Sequence, residues 1–164
     1  PTYVETIRYV DELARFNVNT KGIIFHNTLA SSAYGLLDAE THMPRPQYWG
    51  GLLYSRLAGT TVYDTKEEIR EGAHVYAHSR KDGKPGVCYV LINNSREEET
   101  IVHVPEGVRY TLSADTLRSQ EIKLNDQSII AGENGEIPEL NGEETKAGTI
   151  VLKPCTITYY VVNA

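Results

Sequence analysis

The spacing of apolar and polar residues changes near residue 60. Before that point, apolar residues recur every three or four positions, and one short continuous apolar run separates two such stretches. After it, apolar and polar residues alternate in short runs divided by turn dipeptides such as Asp82-Gly83 and Asn141-Gly142. The pattern predicts a helical N-terminal part followed by a C-terminal part built from β-strands.

The N-terminal part is predicted to begin with a helix over residues 2 to about 16. Thr2 and Glu5 are spaced for a capping box, in which each side chain satisfies a free backbone N–H of the first turn. Asn17 and Asn19 are expected to end this helix. The continuous apolar run over residues 22–25 is typical of a strand buried on both faces of a parallel sheet.

A second helix is predicted from Pro46 to Gly59, because proline is favoured in the first turn and apolar residues recur after it. Each glycine of Gly50-Gly51 costs this helix about 1 kcal/mol relative to alanine. A close contact between the helix and a strand would explain the pair. Trp49 falls at helical spacing with Leu52, which favours core packing over sugar stacking.

The C-terminal part is predicted to hold at least seven strands. They cover residues 61–63, 73–78, 87–93, 100–104, 109–113, 121–124 and 149–162. The last is expected to divide at Pro154, since proline cannot donate to a β-ladder. Short strands with close turn signals favour an antiparallel β-sandwich. The polar segment over residues 125–146 is expected to form an edge hairpin or a loop.

Composition narrows the class of protein. Hydrophobic residues make up 40% and charged residues 23% of the 164 residues, which is usual for a soluble globular domain. The net charge of −6 would repel phosphate backbones, so no nucleic-acid partner is expected. No apolar run approaches the ~20 residues that a membrane span needs. Pro1 is not an initiator residue, so we expect a processed product or a fragment whose export signal is lost.

The cysteines and histidines lack the spacing of a metal site, so no metal or other cofactor is expected. Cys88 and Cys155 lie in strand-like runs, where buried thiols and a disulfide are both open possibilities. His74, His78 and His103 are expected to be surface or packing residues. The triplet that begins at Asn93 is a formal glycosylation sequon, a pattern that also arises by chance.

Two stretches resemble a known family. They are HNTLASSAYGLLD at residues 26–38, and PQYW at residues 46–49 with LL at 52–53 and RLAG at 56–59. Together they are similar to the end of the catalytic barrel in glycoside hydrolase family 79, which includes heparanases and β-glucuronidases. The resemblance implies a mainly β chain: an antiparallel β-sandwich over residues 60–164, preceded over residues 1–59 by the last one and a half β/α units of a (β/α)8 barrel.

The same resemblance implies an activity for the parent protein. Members of the family are retaining glycosidases with an acid/base and a nucleophile glutamate on earlier barrel strands. Both would lie upstream of Pro1, so no catalytic residue is expected in this chain. The implied partners are the remainder of the barrel and a glycan substrate that contains uronic acid. An extracellular or periplasmic location is implied for the parent.

Substrate-binding residues are implied in the loop after the predicted barrel strand, because active sites of such barrels lie at the carboxyl ends of the strands. The candidates are His26, Asn27, Ser31, Ser32 and Tyr34. Tyr34 matches a tyrosine that, in the family, contacts the uronic acid carboxylate. Ser31 and Ser32 stand where glycines are usual, although their hydroxyls can also donate to a sugar. His26 and Asn27 have a plainer interpretation, in which they only satisfy backbone groups.

Two other functions stay open at this point. The serines in place of glycines allow a retaining glycosidase from a related barrel family that acts on neutral sugars. The strand-rich part also allows a non-catalytic β-sandwich module that binds carbohydrate or protein. That second alternative leaves residues 2–59 as an unexplained appendage.

Overall fold

The computed structural model describes residues 1–68 and 71–164, which form two helices and a mainly antiparallel β-structure. The helices are α1 (Tyr3–Asn19) and α2 (Pro46–Leu57). The strands are β1 (Ala58–Tyr63), β2 (Ala73–Arg80), β3 (Gly86–Asn93), β4 (Thr100–Val104), β5 (Gly107–Ser113), β6 (Lys123–Leu124), β7 (Gln127–Ser128), β8 (Glu143–Thr145), β9 (Gly148–Leu152) and β10 (Thr156–Asn163).

Helix α1 starts as predicted but ends later. The Glu5 carboxylate accepts hydrogen bonds from the backbone N–H and the hydroxyl of Thr2, so the expected capping box is confirmed. The prediction that Asn17 breaks the helix is wrong. Asn17 Nδ2 donates to Tyr54 Oη at 2.8 Å, and Asn19 Nδ2 donates to the Arg15 carbonyl at 2.9 Å. Because both amides find partners while helical, they do not compete with the backbone.

Residues 22–25 do not form the predicted buried strand. They run as an irregular segment, and Ile23 and Phe25 are 81% and 84% exposed. A strand needs a neighbour for its backbone hydrogen bonds, and within residues 1–68 and 71–164 no strand pairs with this segment. The N-terminal part is therefore helix, irregular loop, helix.

The predicted antiparallel strands of the C-terminal part are confirmed. Strands pair in the order β1-β2-β3-β10-β5-β6-β7, and β8 pairs with β5 beside β6. The final stretch divides at the turn around Pro154, as expected. Several boundaries differ from the prediction, and the short strands β7 and β8 form within the segment 125–146 that was expected to be an edge hairpin or a loop. Strand β1 begins at Ala58, inside the predicted second helix, and β6 keeps only the last two residues of the predicted 121–124 strand.

The two faces of the main sheet pack against different elements. Successive side chains of a strand point to opposite faces, so each strand contributes to both. On one face, Tyr159 and Ile157 of β10 lie in the core formed with α1 and α2. On the other face, Tyr160 packs under the two-stranded sheet made by β4 and β9. The helix-side core contains Tyr3, Ile7, Val10, Ala14, Trp49, Leu53, Tyr76, Val90, Ile92, Leu112, Ile122, Leu124 and Ile129 in addition.

The Gly50-Gly51 pair lets α2 approach α1 closely, and Gly50 also contacts strand β10, where a helix-to-strand contact was predicted. A Cβ on Gly50 would lie 2.7 Å from Val10 Cγ2 of α1. The Gly50 carbonyl also accepts a hydrogen bond from the buried Tyr159 hydroxyl at 2.7 Å. Trp49 is buried in the helix-side core, so the packing interpretation of this residue is confirmed.

The cysteines are free, with Cys88 buried in β3 and Cys155 half-buried in the turn after Pro154.

Asn93 is fully buried, and its Nδ2 donates to the carbonyls of Glu98 and Leu152 at 2.8 and 2.9 Å. The sequon amide is therefore part of the fold and is inaccessible to a glycosylating enzyme in the folded chain.

Polar contacts also fix α1 to the sheet. His74 of β2 is buried, and its Nδ1 lies 2.7 Å from Asp11 Oδ1. The Tyr76 hydroxyl donates to the same oxygen at 2.7 Å. Helix α2 makes a similar contact with the sheet, because Tyr54 Oη lies 3.0 Å from Nε2 of His78. The expectation that His74 and His78 are packing residues is confirmed.

Candidate functional site

The loop between α1 and α2 folds back on itself. Its two sides are joined by backbone hydrogen bonds from Leu36 N–H to the Thr28 carbonyl and from Leu37 N–H to the Leu29 carbonyl, at 3.3 and 2.8 Å. Gly35 lies at the crossing of the two sides, where an added Cβ would be 3.0 Å from the Leu29 carbonyl oxygen. The chain can make this close approach because glycine lacks a side chain.

Three of the five predicted site residues meet in one cleft between this loop and α1. His26, Asn27 and Tyr34 line it together with the start of α2, and its volume is about 450 Å³. The remaining lining residues are Glu5, Arg8, Tyr9, Glu12 and Gln47. We call this space the loop cleft.

Hydrogen bonds and ring contacts hold the loop cleft together. The rings of Tyr9 and His26 meet edge to face with centroids 4.8 Å apart. Gln47 is buried, and its Nε2 donates to the Tyr34 carbonyl at 2.7 Å while lying 3.5 Å from His26 Nε2. The Tyr34 backbone is thus held by Gln47, while the residue is 58% exposed and its side chain stays accessible.

The two serines take a different position. Ser31 is exposed and shares a hydrogen bond with the Thr28 hydroxyl, with the oxygens 2.9 Å apart. The Ser32 hydroxyl is buried inside the loop. Neither serine lines the loop cleft. Their predicted contact with a sugar stays a prediction, as does that of the other three residues.

The charged residues around the loop cleft all lie on α1. Arg8 Nε pairs with Glu12 Oε1 at 2.8 Å. Burial opposes ionisation of Glu5, but hydrogen bonds from Thr2 outweigh it and hold the pKa of the carboxyl below its ordinary value. Burial raises the pKa of Tyr9, so its phenol stays protonated. The charged residues of the lining are therefore two carboxylates, Glu5 and Glu12, and one guanidinium, Arg8.

The two glutamates of the cleft do not form a retaining catalytic pair. Such a pair needs carboxyl groups about 5 Å apart. Glu5 and Glu12 are seven positions apart on one helix, which separates them by about 10 Å along its axis. Within residues 1–68 and 71–164, no group of three or more His, Cys, Asp or Glu side chains is placed to hold a metal ion. In the same described part, no helix is long and apolar enough to cross a membrane.

Tyr9 and Gln47 are members of the cleft that the sequence did not reveal. Gln47 stands beside Tyr48-Trp49 in the second motif, so its place in the motif was the available signal. Tyr9 lies next to the apolar stripe of α1 and shows no pattern of its own. Its role depends on the loop returning to α1, a contact between residues distant in sequence.

A second groove lies on the far face of the sheet, beside β5 and β9, with a volume of about 570 Å³. It contains none of the predicted site residues and no aromatic ring. Two of its charge pairs are formed internally, Arg109 Nη2 with Glu143 Oε2 at 2.5 Å and Lys153 Nζ with Asp126 Oδ2 at 3.9 Å. We therefore take the loop cleft as the candidate site.

Comparison with known proteins finds relatives among heparanase-like and β-glucuronidase proteins. No protein-family model matches the sequence. Heparanase-like protein 1 of Arabidopsis thaliana is 31% identical over 121 residues, which cover 74% of this chain and 22% of that protein. The chain is a relative of the heparanase-like and β-glucuronidase proteins. The resemblance to glycoside hydrolase family 79 is thereby confirmed.

Two further relatives support the heparanase-like assignment. Baicalin-beta-D-glucuronidase of Scutellaria baicalensis is 26% identical over 151 residues, covering 87% of this chain and 28% of that protein. Hyaluronoglucuronidase of Hirudo nipponia is 26% identical over 185 residues, covering 98% and 36%. The heparanase-like chain thus spans between about a fifth and a third of the length of these relatives.

The fold is shared with solved glycosidases. The crystal structure of an arabinofuranosidase superposes with a TM-score of 0.73 at 12% identity, covering 99% of this chain and 38% of that one. At this identity the likeness concerns the fold alone. It extends over both the helices and the sheet of the heparanase-like chain.

Proposed function

We propose that this chain contributes a substrate-binding loop and an accessory β-sandwich to a retaining glycoside hydrolase that acts on uronic-acid-containing glycans. The proposal is supported by relatives whose names specify glucuronide cleavage. The observation that carries it is the exposed Tyr34 side chain beside His26 and Asn27 in the loop cleft.

In this proposal the substrate carboxylate is bound by neutral donors. The Tyr34 phenol donates to one carboxylate oxygen, and a hydrogen bond to a charged acceptor is worth about 1.5–3 kcal/mol. The Asn27 amide and His26 ring are placed to donate to sugar hydroxyls nearby. Arg8 also lines the cleft and pairs with Glu12, so in this proposal it is a secondary contact.

The chemistry belongs to other parts of the parent protein. We assign residues 1–59 to the end of a (β/α)8 barrel, and residues 60–164 to the β-sandwich that supports it. The acid/base and nucleophile glutamates then lie on barrel strands outside this chain. We place the parent outside the cytoplasm, in the extracellular space or the periplasm, where glycans are found.

The test is Tyr34→Phe in the full-length protein, assayed on an aryl β-glucuronide and on an aryl β-glucoside. Loss of a 1.5–3 kcal/mol contact corresponds to a fall in kcat/KM of about one to two orders of magnitude on the glucuronide. The glucoside lacks the carboxylate, so its turnover should change much less. Tyr63→Phe removes another exposed phenol, on β1 outside the loop cleft, and serves as the matched control.

Equal losses on both substrates would make Tyr34 a structural residue and remove the reason for a uronic acid. Unchanged kinetics on both would place it outside the site. The 164-residue chain by itself should hydrolyse neither substrate. Activity that persists through repurification, and disappears when a glutamate of this chain is replaced, would contradict the assignment of the catalytic pair to other segments.

A further inference from the structure

Three consecutive backbone carbonyls of the site loop are held by two side chains. Arg45 Nη1 donates to the carbonyl of Ser32 at 3.1 Å and also to that of Ala33. Gln47 Nε2 donates to the next carbonyl, that of Tyr34, at 2.7 Å. Every peptide oxygen from residue 32 to residue 34 is therefore fixed from the start of α2.

The Arg45 guanidinium is itself fixed. Its Nη2 donates to Asp38 Oδ2 at 3.0 Å, and its side chain is only 16% exposed. Asp38 Oδ1 accepts hydrogen bonds from the backbone N–H groups of Glu40 and Thr41, at 3.0 and 2.9 Å. The planar, forked guanidinium can satisfy these partners at one time, which a lysine ammonium on a flexible stem cannot do in the same geometry.

Within this chain, apolar burial contributes little at two apolar side chains of the loop. Leu29 and Tyr34 are 59% and 58% exposed, so little hydrophobic surface is removed from water here. The remaining restraints are directional hydrogen bonds. The pKa of the Asp38 carboxyl lies well below its ordinary range, because the Thr41 N–H and the Arg45 guanidinium donate to it.

We propose that Asp38, Arg45 and Gln47 are positioning residues that hold the backbone of Tyr34 and thereby aim its phenol into the loop cleft. We call the three the carbonyl clamp. The kinetic part of this inference rests on the proposed function of Tyr34. The clamp also gives a physical reason for the aspartate that ends YGLLD and for the glutamine in PQYW: Gln47 holds the Tyr34 carbonyl, and Asp38 holds the arginine that binds the two carbonyls before it.

The test is Arg45→Lys in the full-length protein, which keeps the charge and removes the fork. Because a displacement of about 1 Å at a binding group can cost 10²-fold, kcat/KM on the aryl β-glucuronide should fall by about 10- to 100-fold. Amide hydrogen exchange over residues 32–37 should become faster. Arg56→Lys is the matched control, since Arg56 lies in the last turn of α2 and is exposed.

The double variant Arg45→Lys/Tyr34→Phe separates positioning from general stability. If the clamp acts through Tyr34, the double variant should be no slower on the glucuronide than Tyr34→Phe alone. If kcat/KM of the double variant falls by the product of the two single-variant losses, the inference is overturned. If Tyr34→Phe itself behaves as wild type, the proposed function fails. Amide hydrogen exchange then tests the carbonyl clamp independently. Faster exchange over residues 32–37 in Arg45→Lys would support the clamp, and unchanged exchange would overturn it.

Discussion

Replacing Gly50 by alanine should destabilise this protein, although the same change in most helices stabilises them. In a helix interior alanine is favoured over glycine by about 1 kcal/mol. At Gly50, however, the new Cβ would lie 2.7 Å from Val10 Cγ2 and 3.0 Å from Thr6 Cγ2. Carbon atoms in favourable contact are about 3.5–4.0 Å apart, so α1 and α2 must separate or repack.

The surroundings of Gly50 leave little room for that adjustment. Val10 is fully buried, and a valine in a helix has one strongly preferred rotamer. Displacing α2 would also lengthen the hydrogen bond from the Tyr159 hydroxyl to the Gly50 carbonyl. Overpacking of this kind costs about 1–3 kcal/mol. After subtraction of the gain of about 1 kcal/mol in helix propensity, we expect a net loss of up to about 2 kcal/mol in the free energy of unfolding.

Urea unfolding of the 164-residue chain measures this difference as a lower midpoint at an unchanged slope. The neighbouring Gly51→Ala is the matched control. Its Cβ would meet only the ring of the half-buried Tyr9, at 3.0 Å, and that ring can move toward the loop cleft. Because the propensity gain of about 1 kcal/mol applies here too and the clash is milder, we expect Gly51→Ala to be as stable as wild type or up to about 1 kcal/mol more stable.

A double-mutant cycle identifies the cause. Val10→Ala makes room for the new Cβ, so Gly50→Ala should cost less in that background, with a coupling energy of at least about 0.5 kcal/mol. A Gly50→Ala protein as stable as wild type, or more stable, would refute the close helix contact. Strict additivity with Val10→Ala would refute the assignment of the clash to this pair.

Two further predictions concern titratable groups. Burial opposes ionisation of Asp11, but hydrogen bonds from His74 and Tyr76 outweigh it and hold the pKa of this carboxyl below its ordinary value. The folded-state pKa is depressed, so the stabilisation is present above the unfolded pKa of about 3.9 and is lost as pH falls through the folded value. Urea unfolding at stepped pH below about 5 should show this loss in wild type and less of it in Asp11→Asn; equal pH dependence would contradict the contact. Burial raises the pKa of the Cys88 thiol to about 12, so a thiol reagent should label half-buried Cys155 first and reach Cys88 only on unfolding. Equal labelling rates of Cys88 and Cys155 in the native protein would show that the Cys88 thiol is accessible without unfolding.

Local signals in the sequence located most of the regular structure. The capping box at Thr2, the proline at the start of α2 and the alternation in β3 and β10 each depend on neighbours within a few residues. The motifs at residues 26–38 and 46–59 led to the family by the same local means. These features are readable because helix and strand periods leave a direct mark on residue order.

The tertiary structure decided what depends on residues far apart in the chain. The apolar run at residues 22–25 has the composition of a strand, yet pairing requires a neighbour that only the fold supplies. The absent side chain of Gly50 makes room for α1, which periodicity alone does not reveal. The loop cleft likewise exists because the loop returns to Tyr9 and Gln47, and because Arg45 reaches back to residues 32 and 33. Sequence order records local preference, whereas contacts between distant residues are set by how the elements pack.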